Sequence, residues 1–372
     1  MSALRYLRFA KRAVRRSGPP VHLTLFVTGT CNARCRHCFH WREVAAGVAG
    51  PSLENVRLLG ASVARMGPLL WLSFGGGEPF LRADLAELGA AFRAARPRHL
   101  AIPTNGLQPA RTVELTRALA RALPDTFLSI GVSFDGPPDV HDELRQVPGG
   151  HAKSMECVRA LKELGRELGR ERLGVGVIVT VTRSNQHVLA DHLEELVREL
   201  APDNVTINLA RGTALDETQL EVDIDRYGSV CARKERLMRE GLLPYFAFPM
   251  ARLAVARDRE TTRRVAGLAS GRPTPHLACS AGKLSATIFE DGSVHPCEIL
   301  GEPLGELREH DWDLERLWRS ARADELRERI RATRCSCTFE CVQADNVLFS
   351  PRAWPRLALA TLRANGSRAG AS

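Results

Sequence analysis

A chain of 372 residues with 44% hydrophobic content has room for one large domain and a smaller unit, with enough apolar side chains for a sizeable core. No apolar run reaches membrane-spanning length and no signal-peptide pattern opens the chain, so the expected compartment is the cytoplasm, where thiols stay reduced. The net charge of +9 comes from 52 basic residues of which only five are lysine, and with no recognition motif attached it does not point to nucleic acid.

In chain order, residues 1–18 carry six cations and no acid, with Leu4, Leu7, Ala10 and Val14 near one face if the segment is helical. Two solvated end helices are the plain expectation for this segment and for the arginine-rich tail 349–372. A peripheral membrane contact or an acidic-partner patch is the alternative. From residue 19 to 212, short apolar runs alternate with helical stretches. The strand windows are 21–28, 69–79, 98–106, 127–137, 173–185 and 203–212, and segments such as 81–96 and 154–168 space their apolar residues by three and four. Repeated strand–helix units predict a parallel sheet or barrel, with chemistry at the C-terminal ends of the strands. Residues 213–275 read as a charged helical connector broken at "LLPYFAFPMARL". From 276 to 348 a cysteine-rich unit follows, with a hairpin turning at Asp291-Gly292 and a helix after it.

The first strand runs into "TGTCNARCRHCFHW", which sets Cys31, Cys35 and Cys38 within eight residues. Ten cysteines in a reducing compartment indicate metal or catalysis rather than cross-links. A structural zinc ion requires four ligands, and His37 or His40 could supply the fourth. Three thiolates alone suit an iron–sulfur cluster with one iron left open for a small molecule. Both readings stand on the residues alone.

The spacing C-x-x-x-C-x-x-C resembles that of the radical S-adenosylmethionine (SAM) enzymes. The resemblance implies a [4Fe–4S] cluster on Cys31, Cys35 and Cys38, with SAM chelated to the open iron and cleaved to a 5′-deoxyadenosyl radical. Other motifs agree with it. "FGGGEP" at 74–79 is similar to the family's GGEP element, in which Gly76 and Gly77 let the backbone approach SAM and Glu78 meets its ammonium. "PTNG" places Thr104 and Asn105 near the ribose or carboxylate. "VSFDGPPDVHDELRQVPG" resembles a stretch found in peptide and cofactor maturases, implying SAM contacts from Ser133, Asp135 and Arg145. Asn185, ending the fifth strand, is a further polar candidate. The implied fold is a partial (β/α)6 TIM-type barrel.

Cys279, Cys297, Cys335, Cys337 and Cys341 resemble the SPASM/twitch extension, but the full SPASM pattern has seven cysteines and this unit has five. One auxiliary [4Fe–4S] cluster is therefore expected, on Cys279, Cys297 and two of the last three, with Cys341 preferred. A four-thiolate zinc knot is the alternative. Cys157 and Cys231 are expected to be inert core thiols. The implied activity is a radical SAM oxidoreductase or maturase acting on a peptide or cofactor precursor, fed by a flavodoxin- or ferredoxin-like electron donor. Only about twenty residues precede the core, which counts against a leader-peptide module and keeps a small or lipid-like substrate open. A non-catalytic scaffold or a pure electron-transfer protein is the rival class.

Overall fold

The computed structural model describes Tyr6 and residues 8–363. Six strands run parallel: β1 (His22–Thr28), β2 (Trp71–Gly76), β3 (His99–Thr104), β4 (Phe127–Ser133), β5 (Leu173–Val181) and β6 (Asn204–Leu209). Each falls inside its expected window. Three more strands follow: β7 (Ser285–Ile288), β8 (Ser293–His295) and β9 (Gly305–Glu306). The sheet order is β6-β5-β4-β3-β2-β1-β7-β8-β9, with β6 and β9 as free edges, so the curved sheet does not close. This is the expected partial barrel.

Strands buried on both faces read as continuous apolar runs, and β4 and β5 do so because helices cover their outer side. Helices Leu53–Met66, Leu85–Ala91, Pro109–Ala122, Gly150–Leu168 and Leu189–Leu200 supply that layer, each turning a leucine- or valine-rich face inward. Cys157 and Cys231 are buried in the apolar core.

The cysteine-rich unit does not stand apart. Its first strand, β7, pairs parallel with β1 from His22↔Ser285 to Leu25↔Ile288, and the expected hairpin then turns at Asp291-Gly292 into β8. The main sheet therefore continues into the C-terminal unit. A pairing across some 260 residues leaves no trace in local periodicity, so the sequence shows the hairpin but not where it docks.

The connector holds two helices, Ile224–Arg239 and Ala251–Ala269. Its break plugs the bottom of the barrel. Phe246 and Phe248 lie against Phe127 at 5.7 and 5.4 Å between ring centres. A Cβ at Gly174 on β5 would run into the Phe246 ring, so that glycine makes room for it.

The N-terminal expectation is corrected in part. The helix is short, Ala10–Arg15, and Val14 is 63% exposed. Phe9, with Tyr6 and Ala13 beside it, is what packs against Val21, Leu70 and Phe349. An aromatic ring buries more area than the small residues of the expected face, and so sets the rotation of the helix. Leu4 and Leu7 lie outside the described residues. The tail forms the helix Trp354–Arg363, with Leu357 packed on the connector and Leu362 facing solvent. No helix among the described residues is long and apolar enough to cross a membrane.

Candidate functional site: a cysteine-lined cavity and a second thiol cluster

The loop after β1 is irregular but tied down on three sides. Gly77 N–H donates to the Thr28 carbonyl (2.6 Å) and Glu78 N–H to that of Thr30 (2.8 Å), joining it to the loop after β2. Arg36 N–H donates to the Leu144 carbonyl (2.8 Å), and the Arg36 guanidinium reaches Asp216 (2.7 Å) and Glu143 (2.6 Å). Leu215 N–H donates to the Cys38 carbonyl (3.2 Å). A Cβ at Gly76 or Gly77 would strike the Thr28 or Thr30 carbonyl, and Gly76 has φ 106°. These glycines therefore let two loops lie backbone to backbone, a requirement that holds before any ligand is considered.

Cys31, Cys35 and Cys38 face a cavity of about 570 Å³ at the C-terminal ends of the strands. Gly76, Gly77, Glu78, Thr104, Asn105, Ser133 and Arg145 share its wall, so most of the residues singled out from sequence meet in one place. Glu78 is buried, and both its oxygens are used. Oε1 accepts from the Thr104 hydroxyl (2.8 Å) and Phe80 N–H (3.2 Å), and Oε2 accepts from Asn105 N–H (2.7 Å). Burial raises its pKa, and those hydrogen bonds and the Arg145 charge pull back toward the ionised form. The Asn105 amide donates to Asn32 (2.7 Å), which links the third strand's end to the cysteine loop.

Two expected cosubstrate contacts are corrected. Asp135 and Asn185 are fully buried and do not line the cavity. The Asp135 carboxylate holds the Arg145 guanidinium (2.8 and 2.7 Å) and accepts from Thr180 N–H (3.1 Å). The Asn185 amide donates to the Asp135 and Thr180 carbonyls and accepts from Thr182 N–H. Both side chains are saturated by protein, so their part is to position Arg145 and the end of β5. Burial opposes the charge on Arg145, but Asp135 and then Cys35 outweigh it and hold its pKa above the ordinary value.

Burial pushes the Cys31 thiol up to about 11 and Cys38 to about 12, and raises Cys35 as well. Buried thiols of this kind ionise when a cation arrives to take the charge. The donor set fits an iron–sulfur cluster: three thiols spread along a cavity wall, beside an anionic and a cationic side chain. It does not close around one ion. Among the described residues, no three His, Cys, Asp or Glu side chains come together in that way. His40, a possible zinc ligand from sequence, instead gives its Nε2 to Glu290 (2.6 Å) and packs edge-on against Phe26. His37 lies 3.6 Å from Asp135 with its Nδ1 buried and unpartnered.

In the C-terminal unit, Cys279, Cys297 and Cys337 pack around Ala281, Phe339 and Val342. A hydrogen bond between the Cys279 and Cys335 thiols raises the first pKa and lowers the second, and Cys297 feels Cys337 and Cys335. Cys279, Cys297, Cys335 and Cys337 thus neighbour one another without closing around a single ion. The preferred Cys341 lines a small cleft together with Cys297. It is exposed, in the first turn of helix Glu340–Leu348, beside the small cleft of Glu298 and Asp345.

Arg211 escaped the sequence reading. It lines the cavity, pairs with Glu340 (3.1 Å) and Glu298 (3.6 Å), and stacks over Phe339 at 4.3 Å, so it bridges the two thiol sets. Its place two residues after β6, at a C-terminal strand end, was the available signal.

An open barrel with three thiols at the strand ends and a fused cysteine-rich unit defines an iron–sulfur enzyme class. Residues 25–196 match the Radical SAM superfamily and residues 279–341 an iron–sulfur cluster-binding domain, SPASM. The chain belongs to the radical SAM superfamily, with a C-terminal SPASM domain. PqqA peptide cyclase of Rhodopseudomonas palustris is 29% identical over 224 residues, 59% of this chain and 51% of that protein. Pre-heme d1 synthase of Dinoroseobacter shibae is 31% identical over 175 residues, covering 45% and 38%. The chain spans about half or less of the length of these relatives. Streptococcus suis SuiB shares the fold, with a TM-score of 0.59 at 14% identity over 87% of this chain and 70% of that one. The cofactors this family implies are a [4Fe–4S] cluster with SAM, and auxiliary iron–sulfur in the SPASM domain.

Proposed function

We propose that the chain is an oxidative radical SAM enzyme that modifies a peptide or a cofactor precursor. Cys31, Cys35 and Cys38 hold its SAM-binding [4Fe–4S] cluster, and Cys279, Cys297, Cys335 and Cys337 hold an auxiliary one. When bound, the first cluster supplies the electron that splits the sulfonium of SAM, and the resulting 5′-deoxyadenosyl radical takes a hydrogen atom from substrate. The observation that carries this reading is the meeting of three thiols, the glycine–glutamate loop and Arg145 around one cavity at the strand ends.

The chain's own residues bind and orient. Glu78, fixed by Thr104 and Asn105, offers a rigid anion to the ammonium of SAM. Ser133 and Asn105 give directional polar contacts, and Arg145, locked by Asp135, serves the carboxylate. Phe39, Trp41 and Leu215 on the rim keep water from the reacting centre. The names of the two relatives supply the substrate classes, one a peptide and the other a tetrapyrrole. The core is assigned to residues 19–212, the connector to 213–275 and the auxiliary unit to 276–348. Its thiols suit the cytoplasm and its donor is a flavodoxin or ferredoxin. Anaerobic reconstitution with iron and sulfide, then reduction with SAM present, should release 5′-deoxyadenosine; a loaded protein that binds SAM and never cleaves it is a scaffold instead.

A further inference from the structure

Away from the cysteine-lined cavity, a cleft of about 720 Å³ opens between the N-terminal helix, the turn 279–284 and helix Ala321–Ala332. Six cations line it: Arg15, Arg16, Lys283, Arg319, Arg327 and Arg331. Glu315 and Asp324 are the only carboxylates in its wall. Partners on the chain itself answer only part of that charge. Arg319 pairs with Glu315 (2.7 Å), and Arg331 pairs with Glu328. Lys283 has no ion pair among the described residues, and burial followed by the Arg16 and Arg331 charges keeps its pKa below the ordinary value.

Two guanidinium groups are held in place with a donor to spare. Arg16 gives one nitrogen to the Ala278 carbonyl (2.6 Å), and its buried Nε has no partner. Arg327 is fixed by the Gly282 carbonyl (2.5 Å), by Asp324 (2.7 Å) and by stacking on Trp318 at 4.5 Å, and its buried Nη2 is likewise unpartnered. Held guanidinium groups beside Lys283 make a preorganised cationic wall, for which carboxylates are the complementary partners. Cys279 lies in the same wall. The cleft is thus the outward side of the second thiol cluster, and it is positive.

We propose that this cleft docks an acidic one-electron carrier protein, whose surface carboxylates engage Arg16, Lys283 and Arg327 and bring its prosthetic group up to Cys279. The inference rests on the auxiliary cluster proposed above. One electron passes between carrier and cluster, one being oxidised as the other is reduced, and no bond or proton moves. Uneven basicity at the N terminus thereby gains a use: Arg12 turns inward to the Met66 and Pro68 carbonyls, while Arg15 and Arg16 face the cleft.

The test uses the full chain and an acidic flavodoxin as probe. Binding is measured by calorimetry at low salt and at about 0.5 M, where charge steering is screened. Wild type should bind at low salt and lose at least about tenfold in affinity at high salt. The double variant Lys283→Glu, Arg331→Glu should lose as much at low salt, whereas Arg166→Glu, on the far helix Gly150–Leu168, should not. With reconstituted protein, stopped-flow oxidation of flavodoxin hydroquinone should slow in the double variant, with reduction by dithionite unchanged. Thermal melts of the variants check folding, and Arg319→Glu gives a second probe of the same wall. Equal binding by wild type and double variant overturns the proposal. So does absence of flavodoxin binding with capture by phosphatidylglycerol vesicles instead. A chain with no auxiliary iron that still binds flavodoxin in a Lys283-dependent way keeps the docking face and removes the cluster reading.

Discussion

The two thiol sets are built in opposite ways. Cys31, Cys35 and Cys38 come from one eight-residue loop, tied by backbone hydrogen bonds to the loop after β2 and to the segment after Leu144, and they face open space. Cys279, Cys297, Cys335 and Cys337 come from three separate segments, and Cys279, Cys297 and Cys337 pack around Ala281, Phe339 and Val342. A three-thiol set on a cavity leaves a place for a reacting molecule. A four-thiol set in an apolar nest is suited to hold a closed cluster that passes electrons.

Losing a thiol should therefore have different consequences in the two sets. The largest effect is expected for the cavity: Cys35→Ala should abolish SAM cleavage, with chromatography of 5′-deoxyadenosine as the readout. By contrast, Cys337→Ser should lower iron from about eight to about four per chain, because one four-iron cluster is lost, and leave reductive SAM cleavage in place. Cys341→Ser should keep the iron of wild type; a loss of four irons there would reinstate Cys341 as a ligand. Next in size is Asp135→Asn, which strands the buried Arg145 charge and should cost about 3 kcal/mol in chemical denaturation. Gly77→Ala is the gentlest change in chemistry, and it pushes a Cβ into the Thr30 carbonyl. About 1–3 kcal/mol of stability is expected to go, together with a drop in SAM affinity larger than the stability loss explains.

Much of the barrel and the cavity was legible because both are local. Short apolar runs marked six strands, and the resemblance of their flanking motifs to those of radical SAM enzymes singled out Glu78, Asn105, Ser133 and Arg145, which meet on one wall. What the sequence could not carry is long range. The β1–β7 pairing and the His40–Glu290 contact each join residues far apart along the chain. Asp135 and Asn185 show a second limit. A polar residue at a strand end reads the same whether it faces a ligand or props up the residue that does, and only its hydrogen bonds tell the two apart. Cys341 shows a third: the C-x-C-x-x-x-C spacing does not reveal that a helix begins between its last two thiols.

The central claim is that three thiols at the end of β1 hold a cluster with one corner open to SAM. Electron paramagnetic resonance of the Cys279→Ser, Cys337→Ser variant, reduced without oxygen, tests it most directly, since only the first cluster remains there. The expected result is a [4Fe–4S]⁺ signal that changes shape when SAM is added. An unchanged signal, or none from a protein carrying one zinc per chain, would contradict it.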